Sequence, residues 1–142
     1  MLIGDGPLRP GIEEIVAERG LTDRVLFLGD RGDVAALYQA MDMFLLPSFY
    51  EGLPMVGVEA QCAGLPLVCS KEVTDEVAIG EATFLSLEKP ARQWAHHVSQ
   101  ALERGRDLSL RAQGEEMTRT AGFDITHEAD RLARRYRDLA GR

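Results

Sequence analysis

Short apolar runs alternate with amphipathic stretches along most of this chain. Leu2-Ile3 runs straight into Gly4-Asp5-Gly6-Pro7, so a very short strand meets a turn. Ile12, Ile15, Val16 and Ala17 recur at helical spacing among Glu13, Glu14, Glu18 and Arg19, and Gly20 stands where a C-terminal capping glycine would close that helix. Arg24-Val25-Leu26-Phe27-Leu28-Gly29 is nearly continuous in apolar character, as in a strand buried on both faces of a parallel sheet. Asp33 is placed to cap a short helix through Ala40. Further strands are expected over Met43–Ser48, Pro66–Ser70 and Ala82–Leu87. Between the first two lies a helix with Pro54 at its first position and Gly64 just past its end. Three helical stretches are expected from Ala91 onward. In one, Trp94, Val98 and Leu102 share a face; in another, Leu132, Tyr136 and Leu139 do.

This alternation predicts βαβ units with a parallel sheet and right-handed crossovers, an α/β, Rossmann-like three-layer fold with C-terminal helices. At 142 residues the chain has the length of one domain, residues 1–142, with 91–142 as its helical tail. Hydrophobic residues make up 45% and charged residues 27%, which excludes disorder and collagen. No apolar run approaches the ~18 residues of a membrane span, and Met1–Gly6 does not read as a signal peptide. The net charge is −7. Residues 1–90 hold 6 basic and 15 acidic side chains, residues 91–142 hold 10 and 8. An acidic body speaks against nucleic acid as a partner, which needs a basic face. The arginines of the tail read as a solvated helix face. Cys62 and Cys69 lack a C-x-x-C spacing and read as free core thiols in a reducing compartment.

In an open parallel sheet, ligands bind beyond the carboxyl ends of the strands. Three loops occupy that position. Gly4-Asp5-Gly6-Pro7 is not a dinucleotide fingerprint, because Arg9 stands where its third glycine would be. Gly29-Asp30-Arg31-Gly32-Asp33 could pack a flat base against its backbone at Gly29, with Arg31 stacking or donating; a plain polar loop is the alternative. The third loop, Ser48 to Pro54, leads into a helix whose start offers free backbone N–H groups to an anion. Gly52 leaves room for a phosphate or sugar. Glu51 lies in this loop and Glu59 about 7–8 Å along the helix axis from Pro54. Two carboxylates beside an anion site suit hydroxyl groups that flank phosphates, because a carboxylate accepts from both members of a diol. Glu59 follows Val58 in an apolar helix, where an unpaired buried charge is costly, so it is expected to be paired or functional. The alternative is a first-turn glutamate and one structural glutamate.

Glu51 and Glu59 fit an E-x7-E motif. With Gly4–Pro7, Val25–Gly29, Pro47–Pro54 and Glu59–Val68 in this order and spacing, residues 1–90 resemble the retaining glycosyltransferases of family 4, which have two Rossmann-like domains. The stretch from Ser70 to Trp94 resembles bacterial exopolysaccharide and capsule enzymes. The resemblance implies the C-terminal, donor-binding domain of such an enzyme. Glu59 would hold the ribose hydroxyls, and Glu51 would contact the donor sugar as the catalytic residue. Gly52, Leu53 and Pro54 would sit near sugar and diphosphate, and the loop with Gly29 and Arg31 would border the base. Such enzymes use no catalytic metal and no cofactor besides the nucleotide diphosphate sugar that is their donor.

The resemblance also implies features that this chain lacks. A Gly-rich turn and a lysine of the diphosphate site would precede residue 1, as would the N-terminal acceptor domain. The domain is therefore expected to be truncated at its N-terminal edge, inactive by itself, and prone to self-association through an open strand edge. The full-length enzyme is expected in the cytoplasm, at the inner face of the membrane if the missing half binds there. The expected reaction moves a sugar from a nucleotide diphosphate to a saccharide or lipid-linked acceptor. A non-catalytic nucleotide or phosphosugar module and a nucleotide-sugar epimerase are the competing readings.

Overall fold

Three short strands carry the sheet that the apolar runs predict: β1 (Phe44–Leu46), β2 (Leu67–Ser70) and β3 (Ala82–Leu85). This is a computed structural model, which describes residues 1–141, Leu110 by its backbone only. The expected tail therefore ends one residue inside its range, Arg142 lying outside the described residues. The chain divides into two units, residues 1–36 and residues 37–142.

The first unit contains helix α1 (Arg9–Glu18) and two paired segments. Residues 2–4 and 27–29 meet in two isolated bridges, Leu2 to Phe27 in parallel and Gly4 to Gly29 in antiparallel sense. The apolar run at 24–29 is not buried on both faces. Leu26 stays 55% exposed, and Val25, Phe27 and Leu28 are half-buried. Among the described residues this run forms no regular strand and meets residues 2–4 only in isolated bridges, so apolar composition alone does not bury it. Gly20 does close α1, at φ +64°. Helix α2 (Val34–Gln39) follows. Its expected cap, Asp33, gives both carboxylate oxygens to Arg31, at 2.8 and 2.6 Å.

The second unit is a three-layer parallel arrangement in the order β1-β2-β3. All four residues of β2 are buried, because this strand is paired on both edges and covered on both faces. Leu67 and Cys69 face helix α3 (Met55–Cys62) in a cluster with Val58, Val73 and Val77. Val68 faces the other way, against Ala101 of α4 (Ala91–Gly105) and Trp94. Trp94, Val98 and Leu102 are each half-buried, whereas Ala101 and Gly105 are the buried residues of this helix, and the Trp94 indole donates to the Ser86 carbonyl at 3.2 Å. Cys69 and Cys62 are both free thiols; Cys69 is buried, which pushes its pKa up to about 11, while Cys62 is half-buried.

Beyond α4 the chain forms three further helices, α5 (Leu108–Arg111), α6 (Gly114–Thr120) and α7 (Ile125–Ala140), one more than the periodicity suggested. Arg111 reaches back to accept a place at the end of α2: its guanidinium donates to the carbonyls of Gln39 and Met41. Gly64 turns the chain after α3 at φ +74°, and a side chain there would strike the Arg111 backbone.

Candidate functional site

The helix start expected to hold an anion is open. Pro54 is the N-cap of α3, one position earlier than its expected place, and no side chain caps the helix. The amides of Gly57 and Val58 return to the Pro54 carbonyl, at 2.9 and 3.4 Å. Among the described residues, the first-turn amides of Met55 and Val56 take no acceptor, and both residues are about half exposed. A β-carbon added at Gly52 would meet nothing within 4 Å. Nothing inside the chain therefore requires glycine there, and the space beside the loop is free.

The two carboxylates stand on either side of this start in sequence, and both are accessible. Glu51 is half-buried, and its Oε1 accepts from the Ser48 hydroxyl at 2.9 Å. Ser48 in turn is tied to the sheet, since the Ser70 hydroxyl at the end of β2 donates to the Ser48 carbonyl. Glu59 is exposed, so the expectation of a buried carboxylate in an apolar helix does not hold. Four of the eight residues of α3 are buried, but Glu59 projects from the opposite side. Its Oε2 accepts from the Tyr38 hydroxyl at 3.2 Å, and that hydroxyl lies equally far from the Val56 carbonyl. Burial and the nearby carboxylate both disfavour the phenolate, so the Tyr38 pKa is pushed up to about 12. Tyr38 is thus a neutral donor that orients Glu59, leaving Oε1 without a hydrogen bond from the described residues.

Three further residues bear on this loop–helix unit, and no motif marks them. Gln61 is buried and saturates four backbone groups: Nε2 donates to the carbonyls of Gly57 and Val77, and Oε1 accepts from the amides of Ile79 and Gly80. It locks α3 to the 3-10 turn Asp75–Val77 and the chain after it. Ser70 anchors the loop as described. Lys71 follows β2 directly and is exposed, placing a basic residue at the carboxyl edge of the sheet, one residue beyond the Ser70 that holds Ser48. Only its position after a strand could have marked it.

Gly29 and Arg31 belong to the unit of residues 1–36, whereas Glu51, Gly52, Leu53, Pro54 and Glu59 belong to that of residues 37–142. Gly29 adopts φ +62°. Arg31 is committed to Asp33 in a two-pronged ion pair, which holds the Asp33 carboxyl below its ordinary value and the guanidinium above its own. The Gly4–Pro7 loop lines a cavity of about 370 Å³ with Leu2, Ile12 and Phe27. There Arg9 lies over the Phe27 ring and is paired with Asp5 and Glu13, so its charge is already met.

Comparisons with known proteins converge on one family. EpsF of Bacillus subtilis (strain 168), named as a glycosyltransferase, is 44% identical over 108 residues, 75% of this chain and 28% of its own length. An alpha-1,3-galactosyltransferase of Escherichia coli, whose name gives UDP-Gal as donor and GlcNAc-diphosphoundecaprenol as acceptor, is 38% identical over 71 residues, 49% of this chain and 18% of its own. Among solved structures, the sucrose-phosphate synthase of Thermosynechococcus elongatus superposes with a TM-score of 0.79 and 26% identity, over 99% of this chain and 38% of that one. The chain thus spans less than a third of the length of these two curated relatives. The family model described as "Glycosyl transferases group 1" matches residues 1–104, a stretch that contains the open helix start and both of its carboxylates, and the chain belongs to that family.

Proposed function

We propose that this chain is the donor-binding part of a retaining glycosyltransferase that takes a nucleotide diphosphate sugar. The observation that carries the reading is the uncapped start of α3, flanked in sequence by two carboxylates that each keep an oxygen available. The amides of Met55 and Val56 and the backbone of Gly52, Leu53 and Pro54 face the diphosphate. Negative charge grows on the diphosphate as the sugar leaves, and fixed N–H dipoles favour that charge without reorganising. Glu59, aimed by Tyr38, accepts from the two ribose hydroxyls. Glu51, held by Ser48, contacts the donor sugar and is the catalytic residue of this half. Lys71 supplies positive charge near the diphosphate. The reading needs no metal and no cofactor.

Phe49 and Tyr50 are 85% and 86% exposed, and Leu53, Met55 and Val56 beside them are also exposed. An apolar rim around a polar site calls for a cover. The acceptor half implied by the longer relatives is that cover, and the acceptor is a saccharide or a lipid-linked saccharide, as the name of the E. coli relative suggests. The enzyme then works in the cytoplasm, at the inner membrane face if the acceptor half binds there. No helix among the described residues is long and apolar enough to cross a membrane.

The test is a titration of Glu59→Gln and Glu51→Gln with a nucleoside diphosphate and with its sugar conjugate. A hydrogen bond to a charged group is worth ~1.5–3 kcal/mol, so Glu59→Gln should weaken both ligands by about 10- to 150-fold. Glu51→Gln should leave the plain diphosphate unchanged and weaken only the conjugate. Equal losses for both ligands in both variants would overturn this division of roles. Binding intact but no transfer after fusion of the acceptor half would favour a non-catalytic module. Sugar inversion without any acceptor would mark an epimerase.

A further inference from the structure

Tyr38 and Glu59, both within residues 37–142, stand on different helices, so their hydrogen bond depends on how α2 and α3 are registered. The bond has little slack. At 3.2 Å it is already long for an O–H···O contact. The Tyr38 hydroxyl has one proton and two acceptors at equal distance, the Glu59 carboxylate and the Val56 carbonyl. That carbonyl is fixed in the backbone of α3. A small displacement of the Tyr38 ring therefore decides whether the proton goes to Glu59 or to the backbone.

Arg111 meets the ends of both helices. Its backbone lies against Gly64, which turns the chain after α3, so closely that a β-carbon on Gly64 would strike it. Its guanidinium holds the turn after α2: Nη1 donates to the Gln39 carbonyl at 3.3 Å and Nη2 to the Met41 carbonyl. Nε donates to the Gly105 carbonyl at the end of α4, at 3.1 Å. The Met41 amide in turn donates to the Tyr38 carbonyl at 3.2 Å, which ties the clamped turn to the residue that aims Glu59. Gly105 closes on the same turn, since a β-carbon there would collide with the Asp42 carbonyl. The Tyr38 ring is held edge-on by Phe44 of β1, with centroids 5.9 Å apart.

We infer that Arg111 is a positioning residue for the ribose hold of the donor site. By seating its backbone at the end of α3 and its side chain at the end of α2, it sets the separation of Tyr38 and Glu59 and keeps the carboxylate aimed at the ribose hydroxyls. This rests on the donor-binding reading of Glu59 proposed above. The chemistry suits the task. The last carbonyls of a helix have no partner within it, and a planar guanidinium with five N–H groups can hold three carbonyls at once, which a lysine ammonium does not reproduce. A cation at the carbonyl ends of α2 and α4 is also favoured by the helix dipoles. Because Arg111 acts through Tyr38, its loss should change how well the ribose is recognised more than how well the diphosphate is held.

Titration calorimetry of the full chain with UDP and GDP, and with their 2′-deoxy analogues, reads this as a preference for the ribose form. The unaltered chain should prefer the ribonucleotide about 10- to 150-fold, the worth of one hydrogen bond to a charged group. Glu59→Ala should abolish the preference. Tyr38→Phe should cut it about 3- to 10-fold, as suits one neutral hydrogen bond, and Arg111→Met should do the same. Arg111→Lys should give an intermediate preference and carries the test if Arg111→Met does not fold. Arg111→Met combined with Tyr38→Phe should be no worse than Tyr38→Phe alone, because both act on one bond. A merely structural Arg111 would weaken both forms of the nucleotide alike, leave their ratio unchanged and add to the effect of Tyr38→Phe; any of these results, with Glu59→Ala abolishing the preference, would overturn the inference alone. An unaltered chain without a ribose preference, or a Glu59→Ala variant that keeps it, would overturn the donor-site reading and this inference with it.

Discussion

Helices α3 and α7 are held in place in opposite ways. Half of α3 is buried: Val58 and Ala60 enter the core, Gly57 approaches Val77 so closely that a β-carbon would come within 2.9 Å, and Gln61 ties the helix to the chain after the 3-10 turn. Its C-terminal end is wedged by α6, where a β-carbon on Gly114 would lie 2.6 Å from the carbonyls of Gln61 and Cys62. α7 is stabilised within its own turns, by the Asp124 cap and the Glu128–Arg131 pair. The difference fits the role proposed for α3. A helix fixed on its other sides can present an uncapped start and a free carboxylate in one geometry, which a ligand site demands. α7, tied to α6 through Arg119 and Asp124 but with none of its residues buried, keeps surplus apolar surface.

The comparison can be broken most severely at Gln61. Gln61→Leu would strand the Val77 carbonyl and the amides of Ile79 and Gly80 in a closely packed region. With each unsatisfied group costing ~1–3 kcal/mol, urea denaturation should show a loss of at least about 3 kcal/mol, and nucleotide binding should fall with it.

A smaller effect is expected at Tyr38. Tyr38→Phe removes one hydrogen bond to Glu59 or Val56, so stability at neutral pH should drop by about 1 kcal/mol. The alkaline limb is the sharper readout. The folded pKa of Tyr38 lies near 12, above the ordinary 10. Between these values the unfolded chain gives up the phenolic proton and the folded chain keeps it, so the phenol's contribution is whole below pH 10 and is lost as pH rises towards 12. The variant should lose stability less steeply over pH 10–12. Cys69, raised from 9 to about 11, should still produce a decline over pH 9–11 in both proteins. Chemical denaturation at a series of pH values separates the two; an unchanged slope in Tyr38→Phe would contradict the assignment.

The mildest change belongs to α7. Asp124→Ala removes the cap from both amides and its ion pair with Arg119. About 1 kcal/mol of helix stability should go, seen as faster amide exchange in residues 125–129 with the midpoint for β2 and α3 unmoved. A global shift would mean that α7 is packed more tightly than its exposure indicates.

Much of the site could be read from residue order. Pro54 and Gly64 bracket α3 to within a residue, and Glu51, Gly52 and Glu59 fall on the loop and helix where the pattern put them. Their surroundings are not written in residue order. Glu59 turned out to be exposed and oriented by Tyr38, a residue twenty-one positions away that shares no motif with it. Asp33 looked like a cap, but a cap competes with whatever cation stands nearby, and Arg31 took both its oxygens. Residues 24–29 are as apolar as β2, yet β2 alone is fully buried, having a strand on each edge and a helix layer on each face.

Local sequence therefore determined what depends on nearest neighbours along the chain: where helices begin and end, where apolar runs extend, which glycines turn the backbone, and which loop carries carboxylates. Those features follow from backbone sterics, capping and side-chain period, all of which act within a few residues. Only the tertiary structure decided which apolar run becomes the core, which hydroxyl aims Glu59, which serine holds Glu51, and which amphipathic face is left over on α7. Burial and long-range hydrogen bonds depend on segments that arrive from far along the chain, and one residue's identity does not reveal what will arrive beside it.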